Sequence, residues 1–264
     1  MASRASQKEV WRYAEGSFSK CVDSLSGEEP IQITIDGHPI AVVMRTAGDD
    51  EELVTGFLLS EGVIQSVDEI TRVDLEKLEN NALVFLEDEV DYAHFQRHLY
   101  SASSCGICGK ASIEAIDRSY PEIARDGVMV SPDVLLGLPD KLRDAQAVFE
   151  RTGGLHAAAL FDEAGGLLVI REDVGRHNAI DKVIGWAALS GVDLSKCVLQ
   201  LSGRVSFEVM QKARSAGIAI VSAISAPTDL AVEFACESGQ TLIGFLRPPQ
   251  FNCYSGEWRV RREA

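Results

Sequence analysis

Apolar and polar positions alternate with two different periods along the chain. Ile31, Ile33 and Ile35 alternate with Gln32 and Thr34, Asp36-Gly37 supplies a turn, and an apolar run over 40–44 returns. Residues 31–45 therefore read as a β-hairpin. A helix follows. Asp49 stands at its N-cap position, Glu52 lies three residues on, Leu53 and Phe57 share a face, and Gly62 ends it. A second strand pair is expected over 71–75 and 83–87, with Asn80-Asn81 between, then a short helix over 92–99. Helical patterns resume over 111–116 and 133–148, the latter broken by Pro139.

After Gly153-Gly154 strands and helices alternate. Residues 157–161 and 167–171 read as a strand pair across Gly165-Gly166. Helices are expected over 176–189, 205–216 and 228–236, and strands over 197–201, 218–223 and 241–246. This alternation is that of an α/β layered domain with a mixed, partly parallel sheet. The chain so divides into a smaller α+β region over 1–100, a loop over 101–110 and an α/β domain over 111–264. Ligands of such sheets gather where strands end and helices begin.

Composition narrows the class. The chain has 264 residues, 46 % of them hydrophobic and 25 % charged, as in a folded globular protein. No run reaches the roughly 18 apolar residues of a membrane span. The polar start, with Glu9 and Glu15, lacks the apolar core of a signal peptide. A cytoplasmic location is expected. The net charge is −15, and all of it falls in residues 1–150, which hold 13 basic and 28 acidic residues; residues 151–264 hold 12 of each. Such a chain repels nucleic acid on average, and an anionic ligand does better against its second part.

Six cysteines are too sparse for a disulfide scaffold. Two of them, Cys105 and Cys108, form a C-x-x-C in the segment SASSCGICGK. Its serines and glycines have little to bury, so a mobile loop is expected. Neighbouring Lys110 favours thiolate. Four chemistries use this spacing: half of a zinc site, a redox dithiol, part of an iron–sulfur cluster, and a sulfur carrier whose thiolate holds a persulfide.

Three further clusters lie at expected strand ends. Arg151 and His156 flank Gly153-Gly154, a pattern that also suits a plain connector. Gly175, Arg176, His177 and Asn178 open a helix, where exposed amides suit an anion; Asp173 or Asn178 acting as a cap is the plainer alternative. Ser202, Gly203 and Arg204 repeat that arrangement. No P-loop or G-x-G-x-x-G occurs. The stretch Phe245, Leu246, Arg247, Pro248, Pro249, Gln250 sets an arginine among aromatics, which suits a stacked purine or a core edge.

The segments SSCGICGK, RTGGLHAAAL, REDVGRHNAIDKVIG and LSGRVSFEVMQKARSAG, with GDDEELVTGFLLSEG and TLIGFLRPPQFNCYSG, resemble the formate dehydrogenase accessory sulfur carriers of the FdhD type. The resemblance runs over about residues 30–255. It implies a cytidine-deaminase-like layered domain without deaminase chemistry. The sequence agrees, because His156 is followed by Ala157-Ala158 and no proline precedes the C-x-x-C, whereas a zinc deaminase needs H-x-E and P-C-x-x-C. It also implies sulfur received from a cysteine desulfurase and passed to a molybdenum (or tungsten) bis(molybdopterin guanine dinucleotide) cofactor. That cofactor is bound as substrate, with GDP as its analogue, and is destined for the formate dehydrogenase catalytic subunit. Carried over, Cys105 is the persulfide site, Cys108 its partner, and 245–250 the cofactor-binding stretch. Arg247-Pro248-Pro249 departs from the glycine or polar residues expected there. A homodimer is implied too. The alternatives are a non-catalytic cofactor chaperone and a zinc-dependent hydrolase using Cys105, Cys108 and His156.

Overall fold

The computed structural model describes residues 4–75, 80–88, 123–125 and 127–261. The 101–110 segment with Cys105 and Cys108, and the helices expected over 92–99 and 111–116, lie outside the described residues. The chain starts with a two-stranded ribbon, β1 (Ala5–Ala14) and β2 (Ser17–Ser26). Next come β3 (Glu29–Ile35) and β4 (His38–Arg45), the expected hairpin, with Asp36 and Gly37 both at positive φ as a two-residue turn requires. Helix α1 (Asp50–Ser60), β5 (Ile70–Asp74) and β6 (Asn81–Leu86) complete a four-stranded sheet of order β4-β3-β6-β5. Its isoleucines 31, 33 and 35 pack with Leu53, Leu58 and Val84.

The second part opens with α2 (Pro132–Ala145) and α3 (Ala147–Thr152), then β7 (His156–Phe161) and β8 (Leu167–Asp173). It continues with α4 (Arg176–Leu189), β9 (Val198–Leu201), α5 (Phe207–Ser215), β10 (Ile220–Ala223) and α6 (Asp229–Ser238), and closes with β11 (Thr241–Arg247) and β12 (Gln250–Ser255). These strands form one mixed sheet of order β12-β11-β10-β9-β7-β8, in which β9, β10 and β11 run parallel. Both faces are covered. Along β7, Ala158 and Leu160 point into the core under α4 to α6, while Ala157, Ala159 and Phe161 point into the core under α2. The expected α/β layer with a mixed sheet and a smaller N-terminal α+β region is what forms.

Three local readings differ from the outcome. Asp49 does not cap α1; it sits at φ 58 and its carboxylate accepts from Arg4 at 2.6 Å. Glu52 does not fold back on the cap either, because the Arg171 guanidinium holds its carboxylate in a two-point pair. Pro139 does not break α2; Leu135, Leu138 and Leu142 bury the helix on both sides of it. The break comes at Gln146 instead, and α3 restarts on the Glu172 carboxylate, which accepts from the Val148 and Phe149 amides. β11 ends at Arg247, and Pro248-Pro249 form the turn into β12, while the ribbon over 5–26 is not foreshadowed by any apolar periodicity.

The two parts meet where α1 crosses α4. A methyl group added at Gly56 would overlap the Asp181 carbonyl oxygen, and one at Gly185 would overlap that of Glu52. Only glycine lets the two backbones touch, which accounts for a residue that costs a helix interior about 1 kcal/mol. Gly185→Ala should cost about 3 kcal/mol through overpacking. At about 2–4 °C per kcal/mol for a chain of this size, the midpoint of thermal unfolding followed by circular dichroism should fall by roughly 6–12 °C. Gly137→Ala, in α2 with no atom within 4 Å of the added carbon, should leave the midpoint unchanged or raise it.

Candidate functional site

Because β8 to β11 all run one way and β7 runs against them, the ends of four strands and the start of β7 share one edge of the sheet. His156 opens β7 opposite Asp173, the last residue of β8. Gly175 is the N-cap of α4, and Arg176 and His177 form its first turn. Ser202, Gly203 and Arg204 leave β9 toward α5. Ser202 exchanges two hydrogen bonds with Ala157: its hydroxyl accepts from the Ala157 amide at 2.8 Å and its amide donates to the Ala157 carbonyl at 3.0 Å. That lock brings Gly203 against the His156 ring, where an added methyl carbon would lie 3.1 Å from Nδ1. His156, Arg176, His177, Gly203 and Arg204 thus form one cluster.

The turn that presents Arg176 and His177 is braced from below. Asp173 is buried, and its carboxylate accepts from the Thr46 amide at 3.0 Å, the Gly175 amide at 2.8 Å and Asn178 Nδ2 at 2.8 Å. Lys182 Nζ, 1 % exposed, pairs with it at 2.8 Å. One turn along α4, Asp181 meets Lys212 Nζ at 2.9 Å, and the same ammonium reaches Glu61 at 2.9 Å and Ser60 Oγ at 2.8 Å. Asp173 and Asn178 thus brace the helix start, but neither caps it: the helix has Gly175 at its N-cap and no side-chain cap. Thr46, Lys182, Lys212, Asp181 and Ser60 escape the sequence reading. Asp181, Lys182 and Lys212 are signalled only as charged residues within helices, and Thr46 and Ser60 carry no signal.

Both histidines are held neutral. Burial lowers His156, and Arg176 and Arg204 reinforce this against Asp173. Burial, then the Lys212 and Arg176 charges, push His177 down to about 3. Arg176 Nε, His177 Nε2 and Ser206 Oγ are buried with no hydrogen-bond partner among the described residues. Ser206 is the N-cap of α5, and neither it nor Gly175 caps its helix with a side chain, whereas Thr228 caps α6 by accepting from the Ala231 amide. Two helix starts with free amides, two arginines and two neutral imidazoles make an edge suited to an anion carrying several acceptors.

Other expected residues stand apart from the cluster. Arg151 is exposed on α3 and donates to the Ala147 carbonyl of its own helix. The stretch 245–250 lies on the same edge but three strands from β7, about 14 Å at ordinary strand spacing. Phe245, at φ 49, is exposed, and Arg247 donates to the Ile224 carbonyl at 3.1 Å. Pro248, Pro249 and Gln250 are exposed at the turn, while the Leu246 side chain belongs to the core under α2.

Comparison with known proteins adds an independent line. Residues 26–261 match the FdhD/NarQ family model. A sulfur carrier protein FdhD of Streptomyces avermitilis is 46 % identical, with 98 % of this chain and 96 % of that one covered. One of Mycobacterium tuberculosis is 46 % identical over 90 % of this chain and 92 % of its own. One of Saccharolobus solfataricus is 41 % identical over 98 % and 100 %. A crystal structure ascribed to a formate dehydrogenase accessory protein of Desulfotalea psychrophila superposes with a TM-score of 0.80 at 21 % identity, covering 98 % of this chain and 100 % of that one, a likeness of fold.

The depressed His177 has a measurable consequence. The unfolded chain takes up a proton near pH 6.5, whereas folded His177 stays neutral down to about 3. The native state binds fewer protons across that window, so stability falls as pH falls, by up to about 1.4 kcal/mol per unit. The Asp181 carboxyl, pushed up to about 6 by burial, acts in the opposite sense. The difference between wild type and His177→Gln isolates the histidine. Urea unfolding at pH 7.0 and 5.5 should show the variant losing less stability than wild type; equal losses would mean that His177 is protonated in the fold.

Proposed function

The chain belongs to the FdhD/NarQ family, and on that premise we propose that it is a sulfur carrier that sulfurates a molybdenum (or tungsten) bis(molybdopterin guanine dinucleotide) cofactor before the cofactor enters formate dehydrogenase. The observation that carries the reading is the Cys105-Gly-Ile-Cys108 segment in a chain 41–46 % identical, over nearly its whole length, to proteins named sulfur carriers. The Cys105 thiolate attacks the terminal sulfur of a cysteine desulfurase persulfide. The S–S bond of the donor breaks, the desulfurase leaves as thiolate, and Cys105 holds the sulfane sulfur. Cys108 is the resolving thiol. Its thiolate attacks Cys105 Sγ, a Cys105–Cys108 disulfide forms, and hydrosulfide leaves with the electron pair of the broken S–S bond. The pair thus supplies the two electrons that take sulfane sulfur to sulfide.

The sheet edge supplies the cofactor's binding end. Arg176, Arg204 and the free amides of α4 and α5 suit the phosphates of one guanine nucleotide arm, with His156 and His177 as neutral hydrogen-bonding partners. Gly203 keeps the approach open. Exposed Phe245, with Arg247 and the Pro248-Pro249 turn, suits the base. In this reading the layered domain is cytidine-deaminase-like with its deaminase residues gone, and two copies act together, one for each nucleotide arm.

Incubation with a cysteine desulfurase and cysteine should add one sulfur, about 32 Da by intact mass, in line with a persulfide adduct. Cys105→Ala should lose the increment and Cys108→Ala should keep it. The inverse result exchanges their roles. An adduct surviving the double substitution would leave the segment without the carrier role, and no adduct on wild type would favour a cofactor chaperone. About one zinc per chain, purified without chelator, would favour a hydrolase.

Calorimetry should find GDP bound more tightly than ADP, with affinity falling as salt rises. Arg176→Ala and Arg204→Ala should each weaken it about ten- to a hundred-fold, the loss of a charge-assisted contact. Arg247→Ala should reduce the preference for GDP over ADP. Equal affinity for the two nucleotides would leave a phosphate site without base recognition.

A further inference from the structure

Asp173 is an awkward neighbour for an anion. It ends β8 opposite His156 and stands two residues before Gly175, the N-cap of α4, so its carboxylate lies beside the edge that carries Arg176 and Arg204. It is fully buried, so salt screens its charge little. Its field reaches the edge, where it acts on the His156 imidazole against burial and the two arginines. Yet the fold requires a carboxylate here. Asp173 accepts from the Thr46 amide, the Gly175 amide and Asn178 Nδ2, three donors that no single neutral side chain of this size could serve together. The same three donors favour its ionised form.

We propose that Lys182 is a positioning residue for the anion site: acting through Asp173, it cancels the carboxylate's charge so that the edge can take phosphate. The inference rests on the reading of the sheet edge as the cofactor's phosphate end, and names the residue that makes that edge net positive. Lys182 is too deeply buried to meet a ligand itself. Its Nζ reaches Asp173 Oδ2 at 2.8 Å and donates to the Thr46 carbonyl at 2.9 Å. Thr46 Oγ1 accepts from the Val174 amide at 3.1 Å. Amide, carbonyl and hydroxyl of one residue from the first part of the chain thus hold the ion pair and the turn between β8 and α4 together.

A count of charges decides the sign. With both histidines neutral, the edge and the layer beneath it set Arg176, Arg204, Lys182 and Lys212 against Asp173, Asp181 and Glu61, a net of +1. Without Lys182 the net is zero. Two unit charges about 10 Å apart, at an effective dielectric of about 20, change an affinity on the order of ten-fold. A brace that only held the helix start in place would affect every ligand of the edge alike. Cancelling a charge affects each ligand according to its own charge.

Calorimetry of the full chain with GDP and GMP tests this, with folding followed by circular dichroism. Lys182→Met should weaken GDP binding at least about ten-fold, and GMP, which carries one charge fewer, by less. Lys182→Met/Asp173→Asn, which removes both charges, should return GDP to within about three-fold of wild type. Asp173→Asn alone should bind GDP more tightly than wild type does. The double variant buries a neutral pair, so it folds even where Lys182→Met, with its carboxylate unpaired, does not. Unchanged GDP affinity in Lys182→Met, equal losses for GMP and GDP, or a double variant about ten-fold or more below wild type overturns the charge role of Lys182 and leaves the phosphate reading standing. A wild type that binds neither nucleotide overturns the phosphate reading, and the role of Lys182 with it.

Discussion

Helices α1 and α4 cross with their backbones in contact at Gly56 and Gly185, and the rest of the molecule is arranged around that crossing. It brings residues that are more than 120 positions apart into the same buried layer, and their polar groups must then be satisfied there. Lys182 with Asp173, and Lys212 with Asp181, Glu61 and Ser60, meet that demand on α4 and its neighbours. Buried charges of this kind stabilise little in net terms, but removing one partner is costly, so they hold the two parts in a single register. A shift of one helix along the other would overlap backbone atoms and strand charges at once.

The same layer sets the chemistry of the sheet edge. Asp173 is held by the Thr46 amide from the first part of the chain and by Lys182 from inside α4, and in turn fixes the Gly175 amide and Asn178. The first turn of α4 is therefore positioned by the interface between the parts rather than by a local cap. Burial keeps His177 neutral, and the Lys212 charge reinforces it. Arginine supplies the positive charge at the edge and histidine the neutral hydrogen bonding, a division that suits a phosphate without requiring a proton to move.

A carrier that hands sulfur from one protein to a bound cofactor must hold the cofactor firmly and keep its thiols accessible. In the proposed reading the two tasks fall to different kinds of sequence. The edge that would hold the cofactor is built from strand ends and helix starts. The thiols sit in a sequence of serines and glycines with few groups to bury. The acidic excess lies in the first part of the chain and the edge is built from the neutral second part, where an anion meets less repulsion.

The sequence by itself determined the order of strands and helices after Gly154, the 31–45 hairpin, and the positions of His156, Arg176, His177, Gly203 and Arg204 at element ends. All of these rest on local periodicity and turn residues, which act within a few positions. It also carried the C-x-x-C and the longer segments that resemble the family. Only the tertiary structure decided that Asp49 and Glu52 bind arginines instead of capping α1, that Pro139 stays inside α2, and that Leu246 faces the core. The neutrality of His177 was decided there too. In each case the deciding partner is distant in sequence, as Thr46 is from Asp173 by 127 residues, and burial sets the energy of a group only once the fold has chosen what surrounds it.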